Sequence, residues 1–341
     1  MKKIVSLTFL CLVCMVVAMA VPVSTEYFDK FGIKYNPYIE ELDKNILRIS
    51  SAALCANVTR VECGSKPVDC CKVTQNTTFI KGEYNLPRGI VGGGDNVFLD
   101  CNGSTLIGTP TNETTFVEAI VPPDIVKNCI IKDYKANGSG IGIHSDHAIL
   151  INNTIMNSDT GINTFNNSIL IGNKIINNIL SIKVMGSNNI FINNTVYNNS
   201  GGITAMGDMP IIIHPILNNT FINNNISYNS QNGMELRQTH NNKIIGNYLE
   251  GNGNAGIKLI VGSVNNTVVG NYIEGNDGSG IDIDGNFTNI ESNKVILNQK
   301  GIFITSGSYN TTIRYNDLIS NYYYGIYISS ANNTVINNNF Y

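Results

Sequence analysis

From about residue 120 onward, single Ile, Val, Leu and Phe residues alternate with polar ones over three to six positions, then give way to Asn or Gly. Period-two alternation bounded by turn formers predicts short strands, not helices. The segments NNKIIGNYLEGNGNAGIKL, NNTVVGNYIEGNDGSGIDI, FTNIESNKVILNQKGIFI and NTTIRYNDLISNYYYGIYI are copies of one unit. Aligning the chain on that unit places one Asn per copy, at Asn128, Asn153, Asn173, Asn194, Asn224, Asn247, Asn271, Asn293, Asn316 and Asn338, with spacings of 20 to 30 residues. The residue three before that Asn, from Ile125 to Val335, is apolar in every copy, and so is the residue two after it, from Ile130 to Phe340. A second strand follows with the pattern Gly-apolar-x-apolar, as at Gly140-Ile141, Gly233-Met234, Gly256-Ile257, Gly280-Ile281 and Gly325-Ile326, with Ser181-Ile182 as the one substitute.

A unit this short has no room for a helix and buries its apolar face only by stacking on its neighbours, which predicts an all-β parallel solenoid. About 10 to 11 coils at a strand separation of about 4.8 Å give a rod on the order of 50 Å long. The recurring Asn is read as a structural ladder that passes amide hydrogen bonds between coils. The domain reading is a leader over 1–20, a cap over 21–75 and the solenoid over 76–341. Within the cap, Asn36 as cap residue, Pro37 in the first turn, Glu40 and Glu41 near the positive end, and Ile39, Leu42, Ile46, Ile49 and Ala53 on one face predict a short helix over the first coil. The final residues stop inside a repeat, and the expectation is end-to-end self-association through that coil, with Tyr322, Tyr323, Tyr324 and Tyr341 as the alternative shield.

Composition sharpens this picture. The chain holds 53 Asn and 49 Ile in 341 residues, with 22 Lys+Arg against 25 Asp+Glu and a net charge of −3. Such a balance argues against a nucleic-acid partner, which needs clustered cations. Lys2 and Lys3, an apolar run from Ile4 to Val17 and Ala18-Met19-Ala20 form a secretory leader, and no second apolar run follows, so no membrane span is expected once the leader is removed. Six cysteines remain outside the leader, Cys55, Cys63, Cys70, Cys71, Cys101 and Cys129, and are read as disulfides of an exported chain, with zinc as the rival. Cys101 and Cys129 follow Asp100 and Asn128 and are placed within disulfide reach on successive coils. N-x-S/T sequons recur fifteen times, including Asn152, Asn193, Asn218, Asn265, Asn310 and Asn332, in keeping with export.

The run Tyr84-Asn85-Leu86-Pro87 followed by RGIVGGGDNVFLDCNGSTLIG, with the repeated NxxxxNxI and GIxI units, resembles the right-handed parallel β-helix proteins. More narrowly, it resembles the secreted NosD-like group with carbohydrate-binding and sugar-hydrolysis repeats. The resemblance covers about residues 76 to 341 and implies a single-stranded right-handed β-helix, whose function must come from its surface. In such polysaccharide enzymes the substrate lies along one exposed strand face, here the outward positions of the Gly-apolar strand.

Two after the Gly stand Gly142, Asn163, Lys183, Thr204, Glu235, Lys258, Asp282, Phe303 and Tyr327; four after it stand His144, Phe165, Met185, Met206, Arg237, Ile260, Asp284, Thr305 and Ser329. Charge gathers at Glu235, Arg237, Lys258, Asp282 and Asp284, the catalytic candidates if the protein is an enzyme, with carboxylates at i and i+2 roughly 7 Å apart as an acid and base. Lys183, Phe303 and Tyr327 are the substrate-binding candidates. Asp277, Asp282 and Asp284 are an alternative calcium set, although no cofactor is required. The rival reading of the charged residues is a solvated salt-bridge ladder. His144 and His147 in GIHSDHA are read as surface groups near a turn. An insertion between Asn194 and Asn224 brings Met185, Met206, Met209 and His214 forward as a copper-binding alternative. Polygalacturonase, epimerase and lyase motifs are absent and the repeats are of minimal length. The expected function is therefore a secreted or cell-surface β-helix that binds a polysaccharide or cell-surface glycan or serves a structural role. The alternative is a polysaccharide lyase or glycoside hydrolase acting on an acidic polysaccharide.

Overall fold

The computed structural model describes Cys55 and residues 60–93, 96–110, 117–122, 124–206 and 215–341. The leader over 1–20 and the helix expected near residues 37–54 lie outside these residues. Among them every regular element is a strand, and no helix is long and apolar enough to cross a membrane.

The strands form three parallel sheets, called A, B and C in the order the chain enters them, and each sheet contains twelve stacked layers, with two short extra strands attached to sheet A. Twelve layers make eleven steps of rise, or about 53 Å. The first coil runs through Lys72–Val73, Thr77–Thr78 and Glu83–Asn85, and the last through Tyr324–Ile328, Thr334–Ile336 and Asn339–Phe340.

Three sheets replace the two strands per unit expected from the sequence. The recurring Asn does not sit inside a strand; it follows a corner between a three-residue strand of sheet B and one of sheet C, as Asn247 does between Lys243–Ile245 and Tyr248–Glu250. The corner residue before it lies in the left-handed region, at Asn152 (φ 53°), Asn193 (φ 54°), Asn223 (φ 53°) and Gly246 (φ 64°). Asn and Gly tolerate that conformation best, so the composition follows from the corners.

The chain direction changes at each corner, and the next N–H would be left buried without a strand carbonyl. Asn side chains supply the acceptor. Asn247 N–H donates to Asn271 Oδ1 at 2.8 Å, and its Nδ2 donates to Asn271 Oδ1 at 3.0 Å and to Phe221 O at 3.0 Å. The same contacts run from Asn153 to Asn316, all at most 1% exposed. Without this acceptor each buried N–H would cost about 1–3 kcal/mol.

The first member of the column is one residue out of place in the sequence alignment. Asn128 is itself a corner residue (φ 57°), and Cys129 N–H donates to Asn153 Oδ1, so Cys129 heads the ladder. Leu150 pairs with Val126 and Ile155 with Ile131, so Val126 and Ile131 are core and Ile125 and Ile130 are only half-buried. A one-residue slip exchanges the two faces of a strand.

Two further Asn ladders went unread in the sequence. One follows sheet C, from Ser158 through Asn178, Asn199, Asn229, Asn252, Asn276 and Asn298 to Asn321. The other precedes sheet B, from Ser168 through Asn189, Asn219 and Asn242 to Asn266. In the ladder before sheet B the signal is the Asn-Asn pair, in which the first Asn takes the corner and the second the ladder; after sheet C only Asn177-Asn178 and Asn198-Asn199 show it, and Tyr228, Gly251, Gly275, Leu297 and Ser320 take the later corners.

Inside the rod, inward residues stack by type, with Phe191 and Phe221 ring to ring at 4.6 Å. The Gly of the sheet A pattern reflects close packing: at Gly256 a Cβ would stand 2.6 Å from Ile273 Cγ2. The disulfides join Cys55 to Cys70, Cys63 to Cys71 and Cys101 to Cys129. The first two close within the cysteine-rich segment, which meets the first coil at Lys72, and the third links the second and third coils just where the Asn ladder begins.

Candidate functional site

Sheet A places its outward residues in one in-register row: His144, Asn163, Lys183, Thr204, Glu235, Lys258, Asp282, Phe303 and Tyr327. Eight steps of strand spacing make the row on the order of 38 Å long. Eight of the nine residues stand where the sequence pattern puts them. The exception is the head, where His144 replaces Gly142 because the strand Gly140–Ser145 pairs with Thr160–Thr164 two residues further along.

The middle of the row is charged and internally paired. Arg237 Nη2 lies 3.4 Å from Glu235 Oε1 on the same strand, and Asn232 Nδ2 donates to Glu235 Oε2 at 2.7 Å. Lys258 Nζ lies 3.5 Å from Asp282 Oδ2 on the next coil. Asp284 accepts a bond from Thr305 Oγ1 at 2.8 Å. Of these ion pairs, Lys258–Asp282 joins successive coils as a ladder would, whereas Glu235–Arg237 stays within one strand. Burial pushes the Asp282 carboxyl above the usual range, with Lys258 pulling the other way. Asp277 stands exposed at the corner before the strand Ser279–Asn286 that carries Asp282 and Asp284. Among the described residues no three His, Cys, Asp or Glu side chains gather as a metal-holding group.

Toward the last coils the row becomes aromatic. Phe303 and Tyr327 stack at 5.3 Å with their planes 16° apart, Lys300 Nζ sits 4.1 Å over the Phe303 ring, and Tyr324 lies 5.2 Å from Tyr327. Tyr322, Tyr323, Tyr324 and Tyr327 are all exposed. The inward positions of the last coil, Val335 and Phe340, are also exposed, and Ile326 and Ile328 are half-buried.

The other end of the row holds a largely buried histidine–carboxylate pair. His144 and His147 are not free surface groups. His144 Nδ1 lies 2.5 Å from Glu118 Oε1, its ring stacks on Phe165 at 4.9 Å and 10°, and both polar side chains are largely buried, with His144 Nε2 and Glu118 Oε2 unpartnered. Nearby Asn163 Oδ1 is also buried without a partner. His147 occupies a left-handed corner (φ 52°), with Nδ1 2.9 Å from Asp146 Oδ2. Glu118 carries no repeat signal in the sequence, because its strand, Val117–Val121, belongs to a divergent early repeat. Met185 and Met206 do stand on adjacent coils beside this row, whereas Met209 and His214 of the copper reading lie outside the described residues.

The sequence pattern of the family described as "Right handed beta helix region" matches residues 211–340. No curated protein matches the sequence. Among solved structures, the mannuronan C-5 epimerase A-module of Azotobacter vinelandii superposes with a TM-score of 0.59 at 16% identity, over 78% of this chain and 87% of that one. A periplasmic alginate epimerase superposes with a TM-score of 0.63 at 15% identity, over 80% and 76%. The pre-mature bacteriophage phi29 gene product 12 gives a TM-score of 0.53 at 14% identity, over 79% and 50%. At such identities the likeness is one of fold: the three stacked parallel sheets form a parallel β-helix, and residues 211–340 carry the sequence pattern of the right-handed kind.

Proposed function

We propose that the outer face of sheet A is a binding surface for an extended polysaccharide, in a protein exported from the cytoplasm. The observation that carries this reading is the continuous outward row from His144 to Tyr327, in which polar groups lead into a stacked aromatic pair. Aromatic faces accept the apolar face of a pyranose ring, while Lys183, Thr204 and Lys300 offer donors to its oxygens. One residue per coil, at a repeat of about 4.8 Å, suits a ligand that is itself a linear polymer. Three disulfides fit an oxidising compartment, and the leader motif supports export. Both epimerases named above act on polysaccharide by their titles, which supports a polymeric sugar without specifying it.

A catalytic reading has one specific observation in its favour. The Glu118–His144 pair resembles an acid–base dyad, in which the carboxylate orients the imidazole and Nε2 is buried without a partner. The predicted set of Glu235, Arg237, Lys258, Asp282 and Asp284 is less suited, since Glu235–Arg237 and Lys258–Asp282 are already paired with each other. The test is affinity electrophoresis of the protein through neutral and uronate polysaccharides, with the same mixtures scored for new reducing ends and unsaturated products. Retardation without new products is the expected result. Products that disappear in His144→Gln would make the protein an enzyme, and mobility unchanged in every polysaccharide would remove the binding reading.

A further inference from the structure

We propose that the corner residues Asn152, Asn193, Asn218, Asn265, Asn310 and Asn332 are N-glycan attachment sites, because each combines an exposed left-handed corner, a sequon hydroxyl two residues later and an edge of the rod with room for a sugar. Their φ angles lie between 53° and 59°, and all six are exposed. The residue after each is a buried or half-buried ladder residue, and the third is a Thr that opens a three-residue strand.

The backbone accounts for part of this pattern. A corner needs Asn or Gly, the ladder needs Asn, and a strand favours Thr. It does not account for the spacing of the third-position hydroxyl. At the corner between sheets A and B, the sequon falls at Asn218 and Asn265, and skips the intervening coil, where Asn241 is followed by Asn242-Lys243. It skips the next coil, which has Phe287 at the corner, and returns at Asn310. At the corner between sheets B and C, Asn152 and Asn193 are separated by a coil with Gly172. Alternate coils stand about 9.6 Å apart and adjacent ones about 4.8 Å, close to the width of one sugar ring. Within one corner, alternation therefore leaves each glycan its own space, with only Asn310 and Asn332 on adjacent coils; Asn198, a further exposed left-handed corner with Ser200 at the third position, stands on the coil of Asn193 at the other end of the strand Thr195–Tyr197.

The corner also tolerates the modification. Asn265 Nδ2 donates to Asn241 Oδ1 at 2.8 Å, and a substituted amide keeps one N–H for that bond. Asn166 and Asn286 differ: they are half-buried, and their Oδ1 atoms accept Ser187 N–H at 2.8 Å and Tyr309 N–H at 3.0 Å. The donor is a lipid-pyrophosphate-linked oligosaccharide, used by a transferase. The Asn Nδ2–C1 bond forms, the C1–O bond to pyrophosphate breaks with its electron pair leaving on oxygen, and the displaced amide proton passes to solvent. Because the row of sites at the A–B corner follows the sheet A strands of coils seven to twelve, the glycans would form a ridge along one edge of the candidate binding face.

The experiment incubates the purified, folded full chain with an N-x-S/T oligosaccharyltransferase and a lipid-pyrophosphate-linked sugar, beside an Asn-Asn-Thr peptide and the reduced, denatured chain, and maps glycopeptides by mass spectrometry. The folded chain is expected to take sugar at Asn152, Asn193, Asn218, Asn265 and one of Asn310 and Asn332, with Asn166 and Asn286 modified only after denaturation. Thr267→Val removes the sugar from Asn265 without changing the melting temperature. Lys243→Thr creates a sequon at Asn241, and sugar there should reduce occupancy at Asn218 or Asn265. A folded chain left bare while the peptide is modified would overturn the proposal, as would equal modification of Asn166 and Asn286 in the folded state.

Discussion

Sheets A and C each display a stacked aromatic pair of the same geometry: Phe303 with Tyr327, and Tyr248 with Tyr272, both at 5.3 Å and 16°. Their surroundings differ. On sheet C, Tyr248 donates its hydroxyl to Glu250 Oε2 at 3.0 Å, Tyr228 donates to Glu250 Oε1 at 2.9 Å, and Tyr272 bonds Glu274. Burial and then the Glu250 hydrogen bond push the Tyr248 hydroxyl up to about 12. The polar ends of that pair are consumed by carboxylates of their own strands, and Tyr228 adds a bond to Glu250 from the preceding coil. On sheet A the Tyr327 hydroxyl makes no hydrogen bond among the described residues, and the pair continues a row of polar groups. Ring stacking alone does not mark a binding surface; the state of the polar groups beside it does.

The largest expected effect separates the two faces by binding. Phe303→Ala with Tyr327→Ala should weaken retardation by a retained polysaccharide tenfold or more, equivalent to about 1.4 kcal/mol. Tyr248→Ala with Tyr272→Ala should leave it within about twofold, since those rings belong to an internal network on another face. Equal losses would erase the distinction.

Stability should show the reverse asymmetry at smaller scale. Tyr248→Phe removes a donor from Glu250 and is expected to cost under about 1 kcal/mol in chemical denaturation, because the bond is partly solvated. Tyr327→Phe should stay within about 0.3 kcal/mol, as expected where no bond is lost. The sign with pH is fixed. The folded state favours protonated Tyr248, whose pKa is raised from 10.0 to about 12, so the contribution is complete below pH 10 and is lost as pH rises through about 12. The gap between Tyr248→Phe and the parent should close over that interval.

The smallest effect concerns Asp282. Its folded pKa is raised above 3.8, so the folded state holds the proton longer than the unfolded chain. Stability from this group is therefore greatest below pH 3.8 and falls as pH rises through the raised value. Asp282→Asn should flatten that part of the difference curve, measured by thermal melts of variant and parent. A steeper curve in the variant would mean that Lys258 outweighs burial.

Much of this architecture was legible in the sequence, because a coil that stacks on itself must repeat its apolar positions. Ile244, Val268, Ile290 and Ile313 were identifiable as core on that ground alone, and Lys258 and Asp282 as outward neighbours. The third sheet was not. Its strands are three residues long, too short for alternation to separate them from sheet B, and only the left-handed corner before Asn247 divides the two. The Glu118–His144 pair was illegible for another reason: it joins residues 26 positions apart across a divergent repeat, and no local spacing encodes that contact. Asn128 shows the remaining weakness, since an Asn-rich chain offers a plausible Asn in either register.

Hydroxyl-radical footprinting of the protein with and without an oligosaccharide of the retained polymer tests the central claim most directly. The account predicts that oxidation of Phe303 and Tyr327 falls on binding while that of Tyr248 and Tyr272 is unchanged. Protection of Tyr248 and Tyr272, with Phe303 and Tyr327 oxidised as before, would place the ligand on sheet C and contradict it.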